Sequence, residues 1–281
     1  MNELVSVEWL HKNLNLPDLV VIDASLKTTV NRNAANTSLE TIPESRYFDL
    51  KNNFSKTNCS LPNTLPNQTQ FETECQKLGI RQNSKIVVFD SFGIYSSPRV
   101  WWLFKAMGHQ DISVLNGGLP AWIQKGFQTE IRTSKNYRLG NFKAMFQNKY
   151  VKNYQDIIDN QNTKIFTIVD ARSEGRFNGS APEPRKHLKS GHIPDSINLP
   201  YDEVLVDGKF KSTSELKKVF DQKCNDKKEL VFSCGSGLTA CIVMLANAVA
   251  FSKSRAVYDE YAVVASALRL SGMEITQMPV D

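Results

Sequence analysis

Residues 230–249 read LVFSCGSGLTACIVMLANAV. The first four, Leu230-Val231-Phe232-Ser233, form an apolar run ending in a polar residue, as a buried strand does on leaving its sheet. From Thr239 to Val249 the chain is apolar over a helical length. Between them lies Cys234-Gly235-Ser236-Gly237-Leu238, a tight turn from a buried strand into a buried helix. Such a turn aims several backbone N–H groups at one point, and the helix dipole adds positive potential there. A thiol in that cradle loses its proton readily and becomes a nucleophile. Gly235 and Gly237 let the backbone curl close to the sulfur. Cys234 is therefore the candidate nucleophile. The competing reading is a buried structural cysteine beside a glycine turn.

The same pattern occurs earlier in the chain. Val20–Ser25 matches Thr167–Arg172, and Ile42-Pro43-Glu44-Ser45 matches Ile193-Pro194-Asp195-Ser196. Ile86–Asp90 matches Leu230–Cys234, and Val114-Leu115-Asn116 matches Val257-Tyr258-Asp259. Helical stretches alternate with these runs at Val7–Leu14, Phe71–Leu78, Pro98–Met107, Glu215–Cys224 and Thr239–Val249. Alternating strands and helices imply an α/β fold, a mostly parallel sheet covered on both faces. A chain of 281 residues suits two such domains. Residues 131–150 are polar and lack an apolar period. The expected division is a domain over 1–130, a linker over 131–150 and a second domain over 151–281. Asp90 falls where Cys234 falls, so the first half carries no nucleophile. In doubly wound sheets, ligands bind beyond the carboxyl ends of the strands, which places the expected site at the Cys234 turn.

Composition bounds the remaining classes. The chain is 41% hydrophobic and 22% charged, an ordinary globular balance. A net charge of +5, with the basic residues scattered, does not make a nucleic-acid stripe. The N-terminus, MNELVSVEWL, lacks the pattern of a secretory signal, and no run approaches the roughly 18 apolar residues of a membrane span. Five cysteines at 59, 75, 224, 234 and 241 fit no zinc template, and free thiols in a reducing cytoplasm are expected.

A cysteine turn before a helix also serves protein tyrosine phosphatases, which need an Arg six positions after the Cys to hold the oxyanion. Here that position is Ala240. The loop instead resembles the rhodanese superfamily, and specifically the two-domain 3-mercaptopyruvate sulfurtransferases. Their active loop reads Cys-Gly-Ser/Thr-Gly-Val-Thr; this chain has Leu238 in place of Val, followed by Thr239. Residues 170–201, DARSEGRFNGSAPEPRKHLKSGHIPDSINLPY, are similar to the family signature almost position by position. PRVWWLFKAMGH (98–109) and LNGGLPAW (115–122) are also close to it. The likeness reaches to about residue 259.

The resemblance implies two tandem rhodanese-like domains, each a mostly parallel sheet flanked by helices. It implies a sulfurtransferase that moves the sulfur of 3-mercaptopyruvate to a thiol acceptor through a persulfide on Cys234, releasing pyruvate. The implied catalytic loop is Cys234, Gly235, Ser236, Gly237, Leu238 and Thr239. Arg176 and Arg185 match the arginines that grip the substrate's carboxylate and keto oxygen. Arg172 is expected in a structural salt bridge, and His192 is expected to be structural. No metal or organic cofactor is implied. The expected partners are a small-molecule substrate and a thiol acceptor such as a thioredoxin or small dithiol, with no nucleic acid, no membrane and a monomeric state. Thiosulfate-specific members place Arg-Lys after the cysteine, and the neutral Gly235-Ser236 looks like the mercaptopyruvate branch. Two departures stand out. Places that hold an Asp and a His in family members carry Lys51 and Asn63, and Tyr258-Asp259 is not followed by Gly-Ser-Trp-x-Glu-Trp. The alternatives are a thiosulfate sulfurtransferase, or a weakly active or degenerate rhodanese acting as a sulfur carrier or binding protein.

Overall fold

Each apolar run of the repeat forms a strand. The computed structural model describes residues 1–26, 39–57, 59, 63–184, 191–224, 228–252 and 255–259. The chain forms two compact units, Met1–Gln147 with Asp207–Phe210, and Asn148–Val206 with Lys211–Asp281.

The first unit holds β1 (Leu4–Val5), β2 (Leu19–Asp23), β3 (Arg46–Tyr47), β4 (Lys85–Phe89) and β5 (Ile112–Leu115). They form a five-stranded sheet in the order β1-β5-β4-β2-β3, every neighbour parallel. The second unit holds β6 (Val151–Lys152), β7 (Phe166–Asp170), β8 (Ile197–Asn198), β9 (Glu229–Ser233) and β10 (Ala256–Tyr258). Their order, β6-β10-β9-β7-β8, repeats the first unit strand for strand, again with every neighbour parallel. Parallel neighbours require crossovers, and the helices supply most of them. These are α1 (Val7–Asn13), α2 (Gln68–Lys77), α3 (Ser97–Ala106), α4 (Gly118–Gln124), α5 (Tyr154–Thr163), α6 (Glu174–Asn178), α7 (Thr213–Lys223) and α8 (Leu238–Phe251). Burial on both faces explains why the central strands read as unbroken apolar runs.

The five helical stretches legible in the sequence are α1, α2, α3, α7 and α8, displaced by a few residues at their ends. Three others lacked a readable period. Helices α4 and α6 are seven and five residues long. Helix α5 buries a single aliphatic side chain, Ile157, and a reciprocal capping box between Asn153 and Asp156 fixes its start. A similar box between Ser212 and Glu215 opens α7. Residues 131–147, read from the sequence as part of a linker, run along the first unit. The Gly140 N–H donates to the Gln76 carbonyl at 2.8 Å, and buried Phe142 meets the rings of Phe71 and Phe104 edge-on, each at 5.8 Å.

Candidate active site

Strand β9 delivers Cys234. Its register with β7 pairs Ser233 with Asp170, so the two strands leave the sheet side by side. The Ala171 N–H closes the exit by donating to the Ser233 carbonyl at 2.8 Å. Cys234 follows directly and is buried. Gly237, at φ +74°, sits in the left-handed region and starts α8. An L side chain rarely adopts that conformation, which is why a glycine ends the loop. The first N–H groups of α8 have no intrahelical acceptor and lie at the loop. Gly235, Ser236 and Thr239 are partly exposed, whereas Gly237 and Leu238 are buried. Cys241 is buried within α8 among apolar neighbours, a core position.

Arg176, 58 positions earlier in the chain, reaches this loop from α6. A Cβ added to Gly235 would lie 2.9 Å from Arg176 Nη2 and 3.9 Å from Glu183 Oε2. A side chain at 235 would therefore displace the Arg176 guanidinium, against which the residue next to the sulfur is packed. Glu183 holds that guanidinium: Arg176 Nε donates to Oε1 at 3.0 Å and Nη2 to Oε2 at 2.6 Å. Glu183 also accepts from Arg172 Nη1 at 2.8 Å. Arg172 in turn clasps Asp170, with Nε 3.0 Å from both carboxylate oxygens and Nη2 2.6 Å from Oδ2. Its Nη2 also donates to the Gly191 carbonyl at 2.7 Å. Burial alone raises the Glu183 pKa, but the hydrogen bonds and charges of Arg176 and Arg172 outweigh it and hold the carboxyl below its ordinary value. The result is a chain of alternating charge, Asp170–Arg172–Glu183–Arg176, ending at the cysteine loop. Among the described residues Arg176 Nη1 has no hydrogen-bond acceptor.

Arg172 therefore makes the expected structural ion pairs. His192 stacks on Phe177, centroids 4.0 Å apart, and its Nδ1 lies 2.9 Å from the Phe177 carbonyl, as suits a structural residue. Arg185 and the chain after Asp259 lie outside the described residues. In the first unit Lys51 is exposed and Asn63 is buried, its carbonyl accepting from Arg99 Nη2. Sequence reasoning missed Glu183. The signal was present in an acidic residue between two prolines, following two arginines at 172 and 176. Among the described residues no cluster of His, Cys, Asp or Glu is set to hold a metal ion.

The first unit shows what this turn does with an anion. Asp90 follows β4 as Cys234 follows β9, and the register Asp23 with Phe89 matches Asp170 with Ser233. Its Oδ2 accepts from the N–H groups of Tyr95, Ser96 and Ser97 at 2.9, 3.0 and 2.9 Å, and from Ser97 Oγ at 2.7 Å. Its Oδ1 accepts from the Phe92 N–H at 2.9 Å. The turn before α3 is thus an anion cradle filled by its own carboxylate.

Comparison with known proteins agrees with this geometry. The family described as Rhodanese-like domain matches residues 6–125 and 151–263. The 3-mercaptopyruvate sulfurtransferase of Mus musculus is 36% identical over 267 residues, covering 91% of this chain and 89% of its own. The thiosulfate sulfurtransferase of Bos taurus is 35% identical over 266 residues, covering 91% and 89%. The crystal structure of SseA from Escherichia coli, a 3-mercaptopyruvate sulfotransferase with the rhodanese fold, superposes with a TM-score of 0.82 at 29% identity, over 92% of this chain and 98% of that one. With a sheet repeated in both halves, a cysteine turn in one, and matches that run through both, the chain belongs to the rhodanese-like family.

Proposed function

We propose that this protein transfers the sulfur of 3-mercaptopyruvate to a thiol acceptor through a persulfide on Cys234, releasing pyruvate. The observation that carries the reading is the Arg176 guanidinium packed against Gly235, one residue from the sulfur. Cys234 as thiolate attacks the substrate sulfur. The new S–S bond forms as the C–S bond breaks, and the electron pair departs on carbon as an enolate, which takes a proton to give pyruvate. An acceptor thiolate then attacks the outer sulfur, and Cys234 leaves as thiolate. Backbone N–H groups of residues 235–239 are the proposed donors that stabilise the anionic sulfur in both stages. Hydroxyls of Ser236 and Thr239 lie on the same turn.

Substrate choice follows from charge. The fork of Arg176 is engaged by Glu183, which leaves Nη1 for the substrate, and Arg185 is the second cation that the family likeness supplies. One carboxylate suits this arrangement better than thiosulfate, a compact dianion that the neutral Gly235-Ser236 pair does not compensate. We also infer a reducing compartment, the cytoplasm, which suits five free thiols. Parallel kcat/KM measurements on mercaptopyruvate and thiosulfate test the reading. The expected result is a preference for mercaptopyruvate that moves toward thiosulfate when Gly235-Ser236 is replaced by Arg-Lys. A wild-type preference for thiosulfate overturns the substrate assignment, and no turnover of either substrate overturns the activity.

A further inference from the structure

Two cavities open at the amino-terminal ends of the sheets, one in each unit, at the strand ends opposite the cysteine turn and its Asp90 counterpart. In the second unit a cavity of about 180 Å³ is bounded by Phe166–Ile168 at the start of β7, Lys228 ahead of β9, and Pro194-Asp195. In the first unit a cavity of about 230 Å³ is bounded by Val20 in β2, Ser84 ahead of β4, and Arg46, Arg81 and Arg138. The repeat places Glu44 in register with Asp195, and both adopt left-handed backbone, φ +59° and +61°. The two units handle charge differently at this point. Asp195 forms an ion pair with Lys164, another wall residue of its cavity, so one of that cavity's two lysines is compensated from within. Glu44 instead pairs with Lys135 at 3.1 Å and is not part of the wall.

The arginines of the first cavity are left without that compensation. Among the described residues none of Arg46, Arg81 and Arg138 forms an ion pair, and Asp18 is the one acidic residue on the wall. Arg46 is fixed in place. Its Nη1 donates to the Leu78 carbonyl at 2.6 Å, at the end of α2, and its guanidinium lies 4.9 Å from the Tyr137 ring centroid. Gly79 admits it, since a Cβ there would stand 3.1 Å from Nη1. Burial holds the Arg46 pKa below its ordinary value and the Arg81 charge pulls in the same direction, against the opposing influence of Tyr137 and Glu44. A half-buried cation facing a like charge is a state that a bound anion relieves.

We propose that this cavity binds a small tetrahedral oxyanion of the phosphate class, with Arg46, Arg81 and Arg138 as its charge partners. Guanidinium groups match phosphate oxygens in geometry as well as in charge, and Asn83 and Ser84 add polar groups to the wall. The volume is below the span of about 300–1,000 Å³ found for larger organic ligands. The occupant is therefore a phosphate group with at most a small organic remainder. This site is independent of the sulfur-transfer reading.

The test is calorimetric titration of the full chain with inorganic phosphate, at ionic strength held constant with chloride. Saturable binding to wild type, weakened about ten-fold or more in Arg81→Gln/Arg138→Gln, is the expected result. Both of these side chains are exposed, so the double variant keeps its fold and its pyruvate release. Absence of saturable binding to wild type, or equal affinity in the double variant, overturns the proposal. Arg176→Gln serves as the control: phosphate binding is expected to persist in it, and its loss would place the anion at the cysteine loop and overturn the cavity assignment.

Discussion

At Gly235 the packing of the candidate site reduces to one interatomic distance. The side chain that a substitution would add there meets a guanidinium at 2.9 Å, not backbone. Gly235→Ala is expected to leave stability within about 1 kcal/mol of wild type while displacing Arg176. The predicted effect is a KM for mercaptopyruvate raised about ten-fold, vanishing in an Arg176→Gln background because both changes act through one group. Glu183 makes a second residue-scale prediction. Its folded pKa lies below the ordinary 4.5, so the ionised form is favoured by folding. Its stabilisation is complete above the unfolded value and is lost as pH falls through the lower folded one. Glu183→Gln is therefore expected to cost about 2–3 kcal/mol near neutral pH, and urea unfolding curves of the two proteins should converge in acid. A constant difference across that range would contradict the assignment. Cys234 and its loop were legible because a strand, a Gly-x-Gly turn and a helix are consecutive in the chain. Glu183 was not, because its role depends on Arg172 and Arg176 converging in space.

Elements repeat this lesson. Strands β2, β4, β7 and β9 were readable as apolar runs because parallel strands are buried on both faces. Helix α5 was not, because its start is set by a polar capping box and it buries one aliphatic side chain. The two cradles, before α3 and α8, differ in what fills them. Asp90 satisfies four backbone N–H groups in the first. Asp90→Ala leaves them without an acceptor and is expected to destabilise the protein by about 3 kcal/mol or more, measured by urea unfolding; a change within about 0.5 kcal/mol would mean that the cradle tolerates being empty. The stretch 131–147 also acts as an element. Position 25 is Ser where its repeat partner is Arg172, and Arg132 supplies the missing cation, 3.1 Å from Asp23. Nothing in the local composition of that stretch announced this, since its polar residues find partners far away in sequence.

The whole molecule is a duplication in which the same strand order carries two different occupants of one turn, a carboxylate in one half and a thiol in the other. The duplication was legible from the paired runs, three of which end in a polar residue in both halves, whereas the strand order was not, because it depends on which distant runs pair in space. The central claim is that the thiol half carries sulfur on Cys234. Intact-mass spectrometry after brief exposure to 3-mercaptopyruvate tests it most directly. The predicted result is a single adduct of about 32 Da, the mass of one sulfur added by thiolate attack, mapping to Cys234 and removed by a dithiol. The adduct should persist in Cys241→Ala and be absent in Cys234→Ser. Either an unmodified wild-type chain that still releases pyruvate, or an adduct that survives in Cys234→Ser, would contradict the account.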